Sequence, residues 1–437
     1  MTTVLTPKAG FWAIALAFLT AMAFSTVPTP LYPLYMARDG FSTFTVTVVF
    51  AVYAAGVVVS LLLAGHISDR LGRKRVLLPA LALELLAAVL FLTSASLPIL
   101  LTARFLTGLG VGMITATATA YLQELHAAHR PSASRHRFEV VSTAANSGGL
   151  GLGTLIAGLL AQFSYGPLRT PYVIFLVLLT VSLIAVALTP ETVPPQAEKY
   201  RYRPQRIGVH GDRTTYLAAA AAAFASFAVF GVFTSLAPGF VAGTLHHPSR
   251  ALAGAVVFAV FGAAAVAQTL TGGLSAPAKS ALGLLAQAGG IVVLVLGMHT
   301  ESLPLFLLGG VSAGIGAGVL FKAALGSVAA SAAPAERGAA LAGLFLIAYI
   351  GLGVPAIGLG LAVQTLPAVI VMTWFATALL LLLTATALLS HRRPAVPPSP
   401  ASPADPTSPA RPASPTSPTS PARQLALSGG SGAERHR

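Results

Sequence analysis

The stretch GHISDRLGRKR, residues 65–75, sets five ionised side chains into eleven positions of a chain that is only 9% charged. The runs on either side of it, 43–64 and 76–95, are dominated by Ala, Val, Leu, Ile and Phe. Each is long enough to cross a hydrocarbon core of about 30 Å, which takes about twenty helical residues. A polar knot between two such runs reads as the loop joining two membrane helices, with Gly72 allowing the sharp turn that a short connection needs. Working outward, the whole chain fits this reading. Of its 437 residues 55% are hydrophobic, and the mean hydropathy is +0.80, whereas soluble domains carry about 25% charged residues. Twelve apolar stretches are long enough to span: 10–36, 43–64, 76–95, 98–122, 139–162, 171–190, 214–242, 250–271, 280–299, 303–332, 339–362 and 367–390. The expected fold class is therefore all-α and integral to a membrane.

Charge supplies the orientation. With twelve crossings and a cytoplasmic N-terminus, 21 of the 26 Lys and Arg fall on the cytoplasmic side, three on the other, and two, Arg104 and Lys322, inside helices. That bias obeys the positive-inside rule and places both chain ends in the cytoplasm. It also accounts for the net charge of +14 without nucleic acid as a partner. The first apolar run continues into PTPLYPLY with no small-residue cleavage pattern, so it is expected to be retained as a helix rather than removed as a signal peptide. The chain has no cysteine, which excludes disulfides, thiolate metal sites and thiol redox chemistry.

The longest polar stretch between helices, 191–213, divides the spans six and six. The expected organisation is an N-terminal six-helix bundle over 1–190, a cytoplasmic linker over 191–213, a second bundle over 214–391, and a Pro/Ser-rich cytoplasmic tail over 392–437. Glycines recur between the halves: Gly108, Gly110 and Gly112 match Gly314, Gly316 and Gly318 at an offset of 206, and Gly151, Gly153 and Gly158 match Gly351, Gly353 and Gly358 at 200. Parallel repeats of this kind suggest two bundles facing each other across a midplane site. In the tail, prolines stand at every third position from 400 to 421, the repeat of a polyproline II helix, which fits either a disordered extension or a docking strip for a proline-reading partner.

The residues of the loop carry a resemblance. GHISDRLGRKR resembles the loop signature of the major facilitator superfamily, with Gly65, Asp69, Arg70, Gly72, Arg73 and Lys74 at the signature positions; RFLTGLGVG of the fourth span and PET at 190–192 extend it. The resemblance implies twelve helices in two six-helix bundles related by pseudo-twofold symmetry. Asp69, an acid among four bases, suits a contact with the positive N-terminal end of a neighbouring helix or with one of the nearby arginines; the resemblance further implies that it docks near Ala339 at the start of the eleventh helix and latches the halves on the cytoplasmic side, while Arg73 reaches an acid at the end of the fourth, here Glu124. The matching loop of the second half, GGLSAPAKSALG, lacks the Asp and Arg, so one latch is expected. Thr154 stands in the fifth helix where the drug–proton antiporter signature has a proline.

Ionisable groups inside a bilayer are functional candidates because burying them is costly. Arg104 lies about 9 Å below the outer end of its helix at 1.5 Å per residue; it suits substrate binding or proton coupling, or hydrogen bonding to carbonyls of the first helix. Glu84 is a protonatable candidate in the third helix. Lys322 is placed where its stem can snorkel. Asn146 and Gln268 can orient a ligand or bond across helices, and Tyr32 follows prolines that bend the first helix. There is no catalytic, metal-binding or phosphate-cradling motif, so no enzymatic activity and no cofactor are expected, and uphill transport must draw on an ion gradient. The expected function is secondary active transport of a small neutral or amphipathic solute by alternating access, proton-coupled and outward. The expected setting is a multi-pass protein of the bacterial cytoplasmic membrane, acting as a monomer. Its partners are the small-molecule substrate, a proton or another coupling ion, and the lipid bilayer. The alternative is a transporter-like receptor or scaffold that signals through its tail.

Overall fold

The computed structural model describes residues 5–64, 67–130, 134, 136–193, 208, 212–333 and 336–391. Gly65 of the loop, most of the 191–213 linker and the 392–437 tail lie outside these residues. Among the described residues twelve helices are long and apolar enough to cross a membrane: Pro7–Asp39, Thr43–Leu63, Arg73–Thr93, Leu97–His129, His136–Phe163, Thr170–Leu188, Arg213–Ser235, Arg250–Leu270, Ala276–His299, Leu303–Ser331, Arg337–Ala362 and Ala368–Ser390. They are called the first to twelfth spans below. The end of the molecule that carries the Ser68–Arg73 turn is the hairpin end, and the opposite one is the far end.

Several spans outrun the apolar stretches that announced them. The fourth continues through LQELHAAH to His129, because Leu, Gln, Glu and Ala are good helix formers whatever their hydropathy. At 33 residues it is about 50 Å long, well beyond a hydrocarbon core. The first span is broken where the prolines stand. Its α-helix ends at Thr26 and passes through a 3-10 turn at Thr29–Leu31, then resumes over Tyr32–Asp39, since Pro28 and Pro30 donate no backbone hydrogen bond. The fifth contains one π-helical turn, Ala144–Gly148.

The helix contacts repeat between two six-helix bundles. The fourth span packs on the first, second and third as the tenth packs on the seventh, eighth and ninth, and the first packs on the fifth and sixth as the seventh packs on the eleventh and twelfth. Between bundles the fifth meets the eighth and the second meets the eleventh, pairings that a twofold axis exchanges. The glycines report the same register. A Cβ at Gly108, Gly110 or Gly112 would meet the second, third and second spans, and one at Gly314, Gly316 or Gly318 the eighth, ninth and eighth, so the offset of 206 holds. The second offset needs correcting. Gly149 lies against the Leu19 carbonyl of the first span as Gly351 lies against the Phe224 carbonyl of the seventh; Gly151 and Gly353 both face the other bundle, and Gly158 meets Gly254 of the eighth as Gly360 meets Thr47 of the second. The structural offset in the fifth and eleventh spans is therefore 202: matching glycines by type alone slipped the register by two residues.

Candidate functional site

The seventh span carries Phe224, Phe227, Phe230 and Phe233 at intervals of three, which sets them along one side of a helix. The middle two open into a cleft between the bundles of about 830 Å³ of empty space. Phe227 meets Phe321 at 4.8 Å and Tyr349 at 5.3 Å between ring centroids, both edge-on, and Phe230 stacks on Phe261 at 4.8 Å. Phe50 and Tyr53 of the second span face them across the cleft. The polar part of the wall comprises Ser25, Thr26, Thr115, Asn146, Ser147, Thr234 and Gln268. Among the described residues no charged side chain lines it. Asn146 and Ser147 lie in the π-helical turn, whose extra residue re-aims side chains relative to a regular helix, a device common at functional sites.

Of the sequence candidates, Asn146 and Gln268 therefore line this cleft, and Tyr32 lines a second one at the far end, with Thr43, Ser235 and Phe240 among its walls and about 970 Å³ of empty space. Arg104 and Glu84 stand behind the wall. Arg104 is 1% exposed; its Nη1 donates to the Ser25 carbonyl of the first span at 2.7 Å, and its guanidinium lies 4.4 Å from the Tyr53 ring centroid. That is the carbonyl-bonded arrangement left open above, with Ser25 and Tyr53 between Arg104 and any ligand. Its counterpart in the other bundle is Gly310, over which the Phe233 ring fills the space. Glu84 is fully buried, both carboxylate oxygens lack a hydrogen-bond partner, and one of them lies over Gly110. At the equivalent place against Gly316 the ninth span carries Gln287, also fully buried, with Nε2 donating to the Ala225 carbonyl at 2.8 Å. The niche thus holds an acid in one bundle and its amide isostere in the other. Lys322 donates to the Gln268 carbonyl at 2.8 Å, at the hairpin side of the cleft. Aromatic spacing of three in an alanine-rich span was the signal for the cleft, and the sequence reading passed over it.

The hairpin is knitted tightly to its own bundle. Arg73, its side chain 9% exposed, forks onto Glu124 (Nη2 to Oε1 2.7 Å; Nε to both oxygens 3.2 Å), and its Nη1 donates to Ser68 Oγ at 2.8 Å and to Asp69 Oδ1. Glu191, from the PET segment, accepts from the backbone N–H of Arg73 at 2.9 Å and of Lys74 at 3.0 Å, an anion placed on a helix N-terminus. Gly72 has φ +107°, and a Cβ there would press on the Glu191 carboxylate, so both conformation and space require glycine. Lys74 Nζ donates to the Ala187 carbonyl at 2.6 Å, and Arg70 is exposed. Asp69, expected near Ala339, instead turns its exposed carboxylate to Arg73. The start of the eleventh span is met by Tyr216 of the seventh, whose hydroxyl donates to the Ala340 carbonyl at 3.5 Å. The physical reason is proximity: Asp69 and Arg73 are four residues apart, so the guanidinium is at hand while the eleventh span belongs to the other bundle.

The bundles are joined by hydrogen bonds at the far end. Thr154 Oγ1 donates to the Gly254 carbonyl at 3.1 Å, and Arg250 donates through its backbone N–H to Gln162 Oε1 and through Nη1 to the Ala161 carbonyl, both at 3.0 Å. Gly158 and Gly254 face each other where the fifth and eighth spans cross, and Gly360 receives Thr47 where the eleventh crosses the second.

Comparison with known proteins matches this arrangement. The human organic anion transporter MFSD10 (TETRAN) superposes with a TM-score of 0.64 over 87% of this chain and all of that one, at 19% identity, which is a likeness of fold. Multidrug resistance protein MdtL of Escherichia coli O139:H28 is 39% identical over 77 residues, and so is its namesake in Shigella boydii serotype 18. The matched stretch is 18% of this chain and only 20% of those relatives' length. The family model of the Major Facilitator Superfamily matches residues 14–298, most of the membrane region with its hairpin, and the chain belongs to that superfamily of membrane transporters.

Proposed function

We propose that this chain is a secondary transporter of neutral or amphipathic solutes that carry an aromatic ring. It works by alternating access in a bacterial cytoplasmic membrane, with both chain ends in the cytoplasm. The observation that carries the reading is the cleft between the bundles, walled by aromatic rings and a few hydroxyls and amides, with no charge to hold a strongly ionic ligand. Aromatic pairs contribute about 0.5–1.5 kcal/mol each beyond the area they bury. Phe227→Ala removes the ring that touches both Phe321 and Tyr349. It is expected to weaken binding of a planar aromatic solute about tenfold, the equivalent of about 1.4 kcal/mol, with the variant still folded. Titration of the purified protein with a fluorescent aromatic probe measures this, and unchanged affinity would rule the cleft out as the binding site.

The hairpin side is the cytoplasmic one on this reading, since the positive-inside bias places it there. The described conformation is then the one closed at the outer surface by the glycine crossings. Asp69, Arg73 and Glu124, with Gly72 and Glu191, hold the inner hairpin rigid so that the N-terminal bundle moves as one body. Export is supported by the partial match to proteins named for multidrug resistance. For proton coupling the strongest carrier is Glu84, an acid with both oxygens unpartnered and fully buried in a niche that accepts Gln287 in the other bundle. Glu84→Gln is therefore expected to leave the melting temperature within a degree or two of wild type and solute exchange intact, while abolishing uphill accumulation driven by a proton gradient. Gradient-driven accumulation equal to wild type in proteoliposomes would leave Glu84 a structural role only. Flux of any solute in the same vesicles also decides against the receptor alternative.

A further inference from the structure

The cations at the hairpin end are not all used by the hairpin. The first turn of the first span, the last turn of the fourth and the first turn of the fifth border a recess of about 270 Å³ that is open to solvent, lined by Lys8, Phe11, Trp12, His126, His129, Arg130 and Arg137. Lys8, Arg130 and Arg137 are exposed, and none of the three has an ion pair among the described residues. Lys8 and Arg137 are each the second residue of their helix, where the positive end of the helix dipole opposes a cation. Two like charges are therefore held together, each in a place the backbone disfavours. Glu124 is engaged with Arg73 and Thr192, and the exposed Glu139 makes no ion pair with the three cations among the described residues. The walls are ordered, since the Arg137 guanidinium lies 5.5 Å from the Trp12 ring centroid, Phe11 packs edge-on against Trp12, and His126 Nε2 lies 3.2 Å from the Ser134 carbonyl oxygen.

We propose that this pocket binds the phosphodiester headgroup of an acidic phospholipid. Topology alone asks only for cations on this side of the membrane; it does not gather three of them around one vacant space lined by an indole. A lipid rather than a soluble phosphate is indicated by what lies below. Trp12 and Leu16, one helical turn apart, are both about half exposed and run from the pocket down the outer face of the first span, a track for an acyl chain. Trp12 also sits at the end of its span, the depth at which tryptophan favours a lipid interface.

Trp12 is its own reporter. The chain has two tryptophans, and Trp374→Phe leaves Trp12 alone. In phosphatidylcholine vesicles holding this variant, a minority of acyl-brominated phosphatidylglycerol is expected to quench Trp12 at least twofold more than the same amount of brominated phosphatidylcholine. Adding Lys8→Gln, Arg130→Gln and Arg137→Gln should abolish that excess, and Lys8→Gln alone should reduce it. Lys279→Gln with Arg337→Gln, which removes two cations from the same end of the other bundle, should leave it unchanged. Equal quenching by the two lipids in the parent overturns the proposal, as does an excess that survives the triple change or is lost in the Lys279/Arg337 control. Displacement of the excess by inorganic phosphate would assign the pocket to a soluble anion and overturn the lipid reading. A melting temperature of the triple variant close to the parent's excludes misfolding; a lower one transfers the decision to Lys8→Gln alone, where an undiminished excess overturns the proposal.

Discussion

Protein carrying Arg73→Ala is expected to melt several degrees below wild type and to lose at least nine-tenths of its transport rate. One guanidinium serves Glu124, Asp69 and Ser68 at once, and truncating it strips all three. Breaking a buried ion pair by deleting one partner costs about 3–5 kcal/mol, because the other charge stays behind without compensation. The Glu124 side chain is 33% exposed, so water replaces part of the lost bonding and about 3 kcal/mol is the appropriate end of that range. The variant should still insert, since Glu191 bonds the backbone N–H groups of residues 73 and 74 whatever side chain stands there. Arg73→Lys should fall between, because an ammonium supplies charge without the planar fork that grips both Glu124 oxygens. A melting temperature identical to wild type in Arg73→Ala would mean that the hairpin is held by Glu191 alone.

A substitution of comparable effect lies at the other end of the molecule. Gly254→Leu puts a side chain where a Cβ alone would press on the Thr154 carbonyl and stand 3.2 Å from Gly158 Cα. Backbone atoms cannot rotate aside as a side-chain tip can, so the fifth and eighth spans must separate, and the Thr154 to Gly254 and Arg250 to Gln162 hydrogen bonds go with the crossing. Overpacking costs about 1–3 kcal/mol in an ordinary core, and each 1.4 kcal/mol shifts a two-state population about tenfold. The far-end-closed state is therefore expected to become the minor one, and transport to fall to background with the protein present in the membrane at normal amounts. The chain has no cysteine of its own, so Thr43→Cys in the far-end cleft reports the change directly. Its labelling by an impermeant maleimide should speed up at least tenfold in Gly254→Leu. Wild-type flux in that variant would show that the crossing is not part of the gate.

The pieces of the site differ in how they could be known. Gly72 and the pairing of Arg73 with Glu124 follow from local chemistry and short reach, so the motif was enough to anticipate them. Of the two partners open to Asp69, a helix end or a nearby arginine, the structure shows the arginine, Arg73, and not the docking near Ala339 that the resemblance implied, because a nearby guanidinium outcompetes a distant helix. Asn146 and Gln268 were legible as polar groups in apolar spans, but that they share one wall was not. Arg104 and Glu84 looked alike as ionisable intruders. They turn out to sit behind the cleft, one bonded to a carbonyl and the other lodged against a glycine, because burial inside a bundle and exposure to a cavity give the same hydropathy pattern. Phe227 and Phe230 were passed over although their spacing of three marks one side of the seventh span; whether that side meets a cleft or lipid is decided only once the neighbouring helix is placed.

What the amino-acid order determined alone was the number of spans and the duplication. Each depends on quantities that add along the chain: apolar length against bilayer thickness, and small residues at repeated intervals. Tertiary structure decided the register between the halves, 202 rather than 200 in the fifth and eleventh spans, and with it which glycines cross at Gly158 and Gly254. It also decided that the cations at Lys8, Arg130 and Arg137 converge on one pocket. These are properties of distances between segments far apart in sequence, and in a chain whose outer surface is as apolar as its core, hydropathy carries no information about which side of a helix meets its neighbour.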